Sequence, residues 1–219
     1  MAPVRRAGLV ALALALGGCG ARACGGLGGR PPAPLPEVKG AGGERYKVLD
    51  KGPYKAYYDT LGQLVRIEHD ETGDGRADRI VLYEKNVVTK VETDLDHDGW
   101  VDRVEHYDPQ GKLVKVGRGR RTKGKEDAWT FPGPDGQPVR LEYDDDGDGL
   151  VERAETLRAG QVSGVEVDSD RDGRIDRWQG WEKGHLKSEE LDSDGDGKPD
   201  RRLTYDARGR VASVRPLVP

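Results

Sequence analysis

From about residue 44 onward, apolar and polar residues alternate in short runs. Leu64-Val65-Arg66-Ile67 and Val88-Thr89-Lys90-Val91 are two such runs. Period-two alternation over so few residues is the pattern of a half-buried strand and is too short for an amphipathic helix. Two kinds of connection separate the runs. One is Tyr-Asp-x-x-Gly, at Tyr58 to Gly62, Tyr107 to Gly111 and Tyr205 to Gly209, which carries turn chemistry. The other is an acidic loop whose glycines Gly75, Gly99, Gly149, Gly173 and Gly197 recur at separations of 24, 50, 24 and 24 residues. A fixed period is the signature of a repeat architecture. The chain is therefore expected to be all-β. Tandem units of about 24 residues (strand, loop, strand, turn) form an antiparallel hairpin meander, with acidic loops along one edge and Tyr-Asp turns along the other.

The double interval between Gly99 and Gly149 hides a degenerate unit. There Arg118 and Arg120 stand where acids are expected, while Gly124 and Asp127 keep part of the pattern. Other positions recur with the loops. A Glu precedes each one (Glu68, Glu92, Glu142, Glu166 and Glu190) and an Arg follows it (Arg79, Arg103, Arg153, Arg177 and Arg201). These fall on paired strands, where a cross-strand Glu–Arg ladder is one expectation and a simple solubilising role for a thin sheet the other. Further on, Tyr83, Tyr107, Leu157, Trp181 and Tyr205 are expected to line up in a row as units stack.

Composition narrows the picture. Of 219 residues 35% are charged and 32 are Gly, with one Phe and one Met, so a conventional core is hard to assemble. Acids outnumber bases only 40 to 36, and the net charge of −4 offers nucleic acid no broad basic surface. The short stretch from Arg118 to Lys125 could attract a polyanion, but it reads better as a loop in which cations replace a metal. His69, His97, His106 and His185 meet no nucleophile or paired base at motif spacing, and no phosphate loop or zinc signature occurs, so no enzymatic activity is expected.

The start of the chain reads as targeting rather than fold. Arg5 and Arg6 precede the apolar run Ala7 to Leu16, which is too short to span a bilayer. Leu16-Gly17-Gly18-Cys19 resembles the lipobox of bacterial lipoproteins, and by that resemblance residues 1–18 are a signal peptide and Cys19 is lipidated. Cleavage after Ala21-Arg22-Ala23 is the alternative. Residues 19–43, with Pro31, Pro32, Pro34 and Pro36, have the composition of an extended, disordered linker, and residues 44–219 are assigned to the repeat domain. With only Cys19 and Cys24 there is no disulfide framework. Gly20 stands where an inner-membrane retention signal has Asp, which points to the outer membrane of the cell envelope.

Alternating carboxylates around a glycine turn offer several hard oxygen donors to one point, which suits calcium, and the near absence of thiols and imidazoles disfavours zinc and copper. The loops resemble the EF-hand calcium loop, whose ligands lie at positions 1, 3, 5, 7, 9 and 12, the seventh through its backbone carbonyl. That resemblance implies Asp70, Thr72, Asp74, Arg76 and Asp78 as a first set and Asp94, Asp96, Asp98, Trp100, Asp102 and Glu105 as a second. The third is Asp144, Asp146, Asp148, Leu150, Glu152 and Glu155. The fourth is Asp168, Asp170, Asp172, Arg174 and Asp176, and the fifth Asp192, Asp194, Asp196, Lys198 and Asp200. Val81, Gln179 and Leu203 hold the twelfth place in the first, fourth and fifth, which lack its bidentate acid. Because strands flank the loops, a nearer likeness is the Asp-x-Asp-x-Asp-Gly-x-x-Asp loop of FG-GAP repeats, and the Tyr-Asp turns resemble the YD repeats of Rhs-type surface proteins. The expected affinity is that of extracellular modules, on the order of 10⁻⁴–10⁻³ M. The expected function is a calcium-binding, membrane-anchored scaffold whose partner is a surface protein. The alternative is a carbohydrate-binding or adhesive module with a glycan on Trp100, Trp129, Trp178 or Trp181.

Overall fold

The computed structural model describes residues 34–217. Residues 1–33, on which the expected signal peptide, the expected lipidation at Cys19 and most of the expected linker fall, lie outside the described residues. Within them the chain is all-β, in sixteen strands. They are β1 (Glu37–Lys39), β2 (Arg45–Lys51), β3 (Tyr54–Tyr58), β4 (Leu64–His69), β5 (Arg79–Glu84), β6 (Val87–Thr93), β7 (Arg103–Tyr107) and β8 (Leu113–Arg118). They continue with β9 (Ala128–Pro132), β10 (Pro138–Tyr143), β11 (Arg153–Arg158), β12 (Gln161–Val167), β13 (Arg177–Glu182), β14 (His185–Leu191), β15 (Arg201–Tyr205) and β16 (Val211–Pro216). Each pairs antiparallel with its neighbours in sequence, giving one open meander in the order β1 to β16. The sheet starts earlier than residue 44. Glu37 and Lys39, inside the segment assigned to the linker, pair with Lys47 and Arg45 across a turn at Gly43.

The two edges differ as the turn chemistry requires. On one edge Asp59 Oδ1 accepts the backbone N–H groups of Leu61 and Gln63 at 2.9 and 2.7 Å, and Gly62 takes φ +79°. Asp108 and Asp206 repeat this arrangement, each followed by a register shift beside Tyr107 or Tyr205. Where that motif is missing, two-residue turns with positive φ serve at Lys85-Asn86, Ala159-Gly160 and Lys183-Gly184, and between β9 and β10 Gly133 takes the place of the Asp in a turn closed at Gly136. The nine-residue acidic loops occupy the opposite edge.

Among the described residues no second layer covers the sheet, so burial comes from side chains leaning on their neighbours in register. On one face a continuous row runs Ile67, Val81, Val91, Glu105, Val116, Thr130, Leu141, Glu155, Val165, Gln179, Glu189, Leu203. Val91 in that row is only 3% exposed. Tyr83, Tyr107, Leu157, Trp181 and Tyr205 share this face, two residues along from members of the row. On the other face Ala154 lies in register between Glu142 and Glu166 and is 1% exposed. Arg140 bonds both carboxylates, at 2.7 and 2.8 Å, and the bridge shields the small residue.

The Glu–Arg ladder does not form. Arg79 pairs with His69 and Ile80 with Glu68, so Glu68 and Arg79 point to opposite faces, and the same parity holds for every unit. All five Glu, and three of the five Arg, find a partner on their own face instead. Arg66, Lys90 and Arg140 bond Glu68, Glu92 and Glu142 at 2.6 to 2.7 Å, and Arg202 approaches Glu190 at 3.5 Å. Opposite them Arg103 and Arg153 bond Glu105 and Glu155, and Arg177 approaches Glu189.

Candidate metal centres

Each acidic loop is closed by the backbone. In the second, Asp102 N–H bonds the Thr93 carbonyl at 3.0 Å, and Asp94 N–H bonds the carbonyl of Asp78, the last acid of the preceding loop, at 2.8 Å. The Asp168 and Asp192 loops are joined to their predecessors in the same way. Numbering each loop from its first acid, position 1 braces the curl. Asp70, Asp144 and Asp192 each accept the N–H groups at positions 4 and 6 on their two oxygens, at 2.5 to 2.9 Å. Asp168 does the same toward Arg171 and Gly173. Position 6 is Gly with φ between +86° and +100° in all five loops, a conformation other residues adopt at a cost.

The ninth-position acid ties the far side. Asp78 Oδ2 accepts from Glu71 and Thr72 at 2.6 and 2.9 Å, Asp102 accepts both corresponding N–H groups, and Glu152 accepts that of Asp145. In the last two loops Ser169 and Ser193 add hydroxyl donors to Asp176 and Asp200, at 2.7 and 3.1 Å. These serines went unnoticed in the sequence, although each sits at position 2 of its loop.

Four loops bring carboxylates together. Asp144, Asp146, Asp148 and Glu152 form a group of four, and Asp94/Asp96/Asp102, Asp168/Asp170/Asp176 and Asp192/Asp194/Asp200 form groups of three, each with one ligand atom per residue mutually within 4.8 Å. Positions 1, 3 and 9 thus converge, and position 5 joins only through Asp148. Asp98, Asp172 and Asp196 stand off these groups, although they accept the N–H of position 7 just as Asp148 does. Asp70, Asp74 and Asp78 do not come together, because Thr72 replaces the second acid and the second oxygen of Asp78 receives His97 Nδ1 at 3.0 Å. The His97 bond, aided by the N–H of Thr72, holds the Asp78 carboxyl below the ordinary carboxylate value. Burial by itself would raise Asp192, but the Gly197 and Gly195 N–H donors overrule it and the group lies low. Carboxylates aimed at one point suit a divalent cation with hard oxygen preference.

The twelfth-position assignments fail on geometry. Glu105 and Glu155 lie within β7 and β11, bonded to Arg103 and Arg153, and belong to no loop group. The loop is complete at position 9, and the strand that follows carries the twelfth residue away along the sheet. The role assigned to position 7 belongs to its backbone carbonyl. The side chains there reach the next loop: Arg76 lies against Gly99, Trp100 against Gly124 and Leu150 against Gly173, and Arg174 approaches the Gly195 carbonyl at 3.5 Å. Lys198 is exposed.

The degenerate loop is in register one residue away from the sequence expectation. Asp127 N–H bonds the Arg118 carbonyl, and Asp127 accepts from the N–H groups of Arg120 and Arg121, both at 2.7 Å, as a ninth-position acid does. Gly119, Arg121 and Lys123 therefore occupy positions 1, 3 and 5, where the other loops have acids. A Cβ at Gly119 would lie 2.5 Å from the Lys125 carbonyl oxygen, so no Asp fits there without movement. Apart from an approach of Arg120 to Asp127 at 3.5 Å, the cations reach out of their own loop. Lys123 pairs with Asp98 on one side, while Arg120 bonds Asp145 at 2.8 Å and Lys125 bonds the Gly147 carbonyl on the other.

No family model matches the chain, and no curated protein is similar to it. Among solved structures, the chain is similar over 53% of its length to S. aureus TarM, at 12% identity and a TM-score of 0.27, spanning 20% of that chain. It is similar over 57% to the glycosylation-associated Gap123 complex of Streptococcus agalactiae, at 15% identity, a TM-score of 0.30 and 19% of that chain. The TcdB2-TccC3 structure is matched over 80%, at 14% identity, a TM-score of 0.22 and 12% of its own length. The chain thus spans a fifth or less of these proteins, and likenesses this remote carry no argument about its function.

Proposed function

We propose that this chain is a calcium-binding, non-enzymatic scaffold of the cell envelope, tethered through a lipidated Cys19. The observation that carries the reading is the repetition of the carboxylate groups: four along one edge of one sheet, each built from positions 1, 3 and 9 of the same loop. Groups with three or four carboxylates and no thiol or imidazole favour calcium over transition metals, and magnesium is less suited because it keeps its waters. The metal's role is structural. A single-layer sheet buries little apolar surface, so cation binding adds folding free energy that its core does not supply.

The test is calorimetric titration of the purified protein with calcium, paired with thermal unfolding in millimolar calcium and in chelator. At calcium about tenfold above a dissociation constant of about 10⁻⁴ M, each occupied loop adds roughly 1.4 kcal/mol, or about 6 kcal/mol over four. Asp144→Asn should weaken the tightest step. Identical melting curves with and without calcium would end the reading. Cys19→Ala should move the protein from the membrane to the soluble fraction. A second reading, glycan binding, draws on Trp181, which lines an open cleft with Arg158, Gln161 and Ser163, and saturable affinity on a glycan array would favour it.

A further inference from the structure

The Gly119–Asp127 loop treats its two neighbours differently. Toward the Asp144 loop its cations take groups that are not candidate ligands: Arg120 bonds Asp145 at position 2, Arg121 the Asp145 carbonyl, and Lys125 the Gly147 carbonyl at position 4. The four grouped carboxylates are left untouched by it. The one approach to that group, Arg171 to Asp146 at 3.4 Å, comes from the loop after it. Toward the Asp94 loop the cation takes a carboxylate itself, since Lys123 Nζ pairs with Asp98 Oδ2 at position 5. Among the described residues no other fifth-position acid is in an ion pair. Trp100, at position 7 of the Asp94 loop, packs on Gly124 beside Lys123, which seats the basic loop against this acidic one.

We infer that Lys123 is an intramolecular competitor for the cation at the Asp94 loop, an affinity-determining residue that makes this site weaker than its neighbours. The inference rests on the metal-binding reading of the acidic loops. A divalent ion entering between Asp94, Asp96 and Asp102 gains its fourth carboxylate only if Asp98 swings in, and Asp98, unlike the equally outlying Asp172 and Asp196, must first give up an ammonium partner. Bringing the ion in also sets two charges of the same sign close together. The Lys123 side chain is 66% exposed, so its departure costs little, and the competition is graded rather than absolute.

Terbium is a luminescent stand-in for calcium, and an indole within the loop sensitises it over short range only. The emission that Trp100→Leu removes is therefore the Asp94-loop signal, separable from contributions of Trp129 or Trp178. In the full chain, Lys123→Gln should shift the midpoint of this component to about fivefold lower terbium, the scale of one exposed ion pair. Lys123→Arg, which keeps the charge, should stay near the wild-type midpoint. An unchanged or weakened midpoint in Lys123→Gln overturns the inference while leaving the metal reading standing. Absence of sensitised emission in every variant, with no heat of calcium binding, would remove the metal reading and this inference with it.

Discussion

The ninth-position acid carries two roles in the acidic loops, and Asp127 separates them. It sits in a loop whose other acid positions hold Gly119, Arg121 and Lys123, so its work is bracing alone. Its side chain is 2% exposed and accepts the N–H groups of Arg120 and Arg121, each at 2.7 Å. Asp127→Ala strands both donors. A buried N–H left unpaired costs about 1–3 kcal/mol, and water entering the exposed loop will recover part of it, so the loss is about 2–5 kcal/mol. The Arg120 approach at 3.5 Å adds little, because that side chain is 38% exposed. In a protein of this size 1 kcal/mol moves the melting midpoint by about 2–4 °C, so the variant should melt roughly 5–15 °C lower. Asp127→Asn keeps one acceptor and should fall about halfway. The assay is circular dichroism melting in calcium and in chelator, with amide hydrogen exchange read at Arg120 and Arg121. The same decrement is expected in both buffers, whereas Asp102→Asn should show a larger decrement in calcium. A wild-type melt for Asp127→Ala, or a decrement present only in calcium, would refute the bracing role.

Three further outcomes follow from the same contacts. The bond to Asp78 raises the His97 pKa above its ordinary 6.5, so that stabilisation is complete below 6.5 and is lost as pH rises through the folded value. Asp78 is lowered from 3.8, so its share is lost only as pH falls through the lower folded value. His97→Asn should therefore cost most between pH 3.8 and 6.5 and least in alkali, as pH-dependent melting would register. Burial and bonds to Glu68 and Glu105 push Tyr57 and Tyr107 up to about 12, so two phenols should ionise late in an ultraviolet titration, and stability should fall as pH climbs from 10 through 12. Glu105→Gln should leave calcium binding unchanged, because its carboxylate serves Arg103 and the Tyr107 hydroxyl, and should cost about 1 kcal/mol or less of stability by denaturant melting.

Much of the architecture is legible in the chain. Alternation in Leu64–Ile67, the Asp-x-x-Gly turns and the recurring Gly75, Gly99 and Gly149 suffice for hairpins with two unlike edges. Convergence of positions 1, 3 and 9 is also readable, since a curl closed at its sixth residue by Gly brings those side chains inward. What failed depends on parity. The bond from Asp78 N–H to the His69 carbonyl fixes Arg79 opposite His69 and hence away from Glu68, a one-residue matter that motif spacing does not disclose. The basic loop failed similarly. Each of its two flanking intervals is 25 rather than 24 residues (Asp94 to Gly119, Gly119 to Asp144), and with no acids to align, Arg118 and Arg120 looked equivalent to ligands. Contacts between loops, such as His97 to Asp78, join residues 19 apart and have no local signature.

Those contacts explain how so thin a sheet holds a register. In an array where each strand meets only its two neighbours, stability is a sum of unit and nearest-neighbour terms, and any weak junction lets the sheet part there. The strand pairs supply backbone bonds and half-buried rows. The loops supply a second set of junctions in both directions: position 4 reaches back, as His97 does to Asp78 and Arg171 to Asp146, and position 7 reaches forward, as Trp100 does to Gly124 and Leu150 to Gly173. A cation bound within one loop would fix the backbone from which both arms extend, so its stabilisation should spread to the adjoining units. The Gly119 loop interrupts any such series of cations in mid-sheet, and its Arg120, Lys123 and Lys125 restore the junctions with side-chain charge. On this reasoning the basic loop supplies its own cations where two runs of acidic loops meet, and neutralising Arg120, Lys123 and Lys125 together should speed amide exchange in β8 and β9 modestly, on the scale of exposed ion pairs.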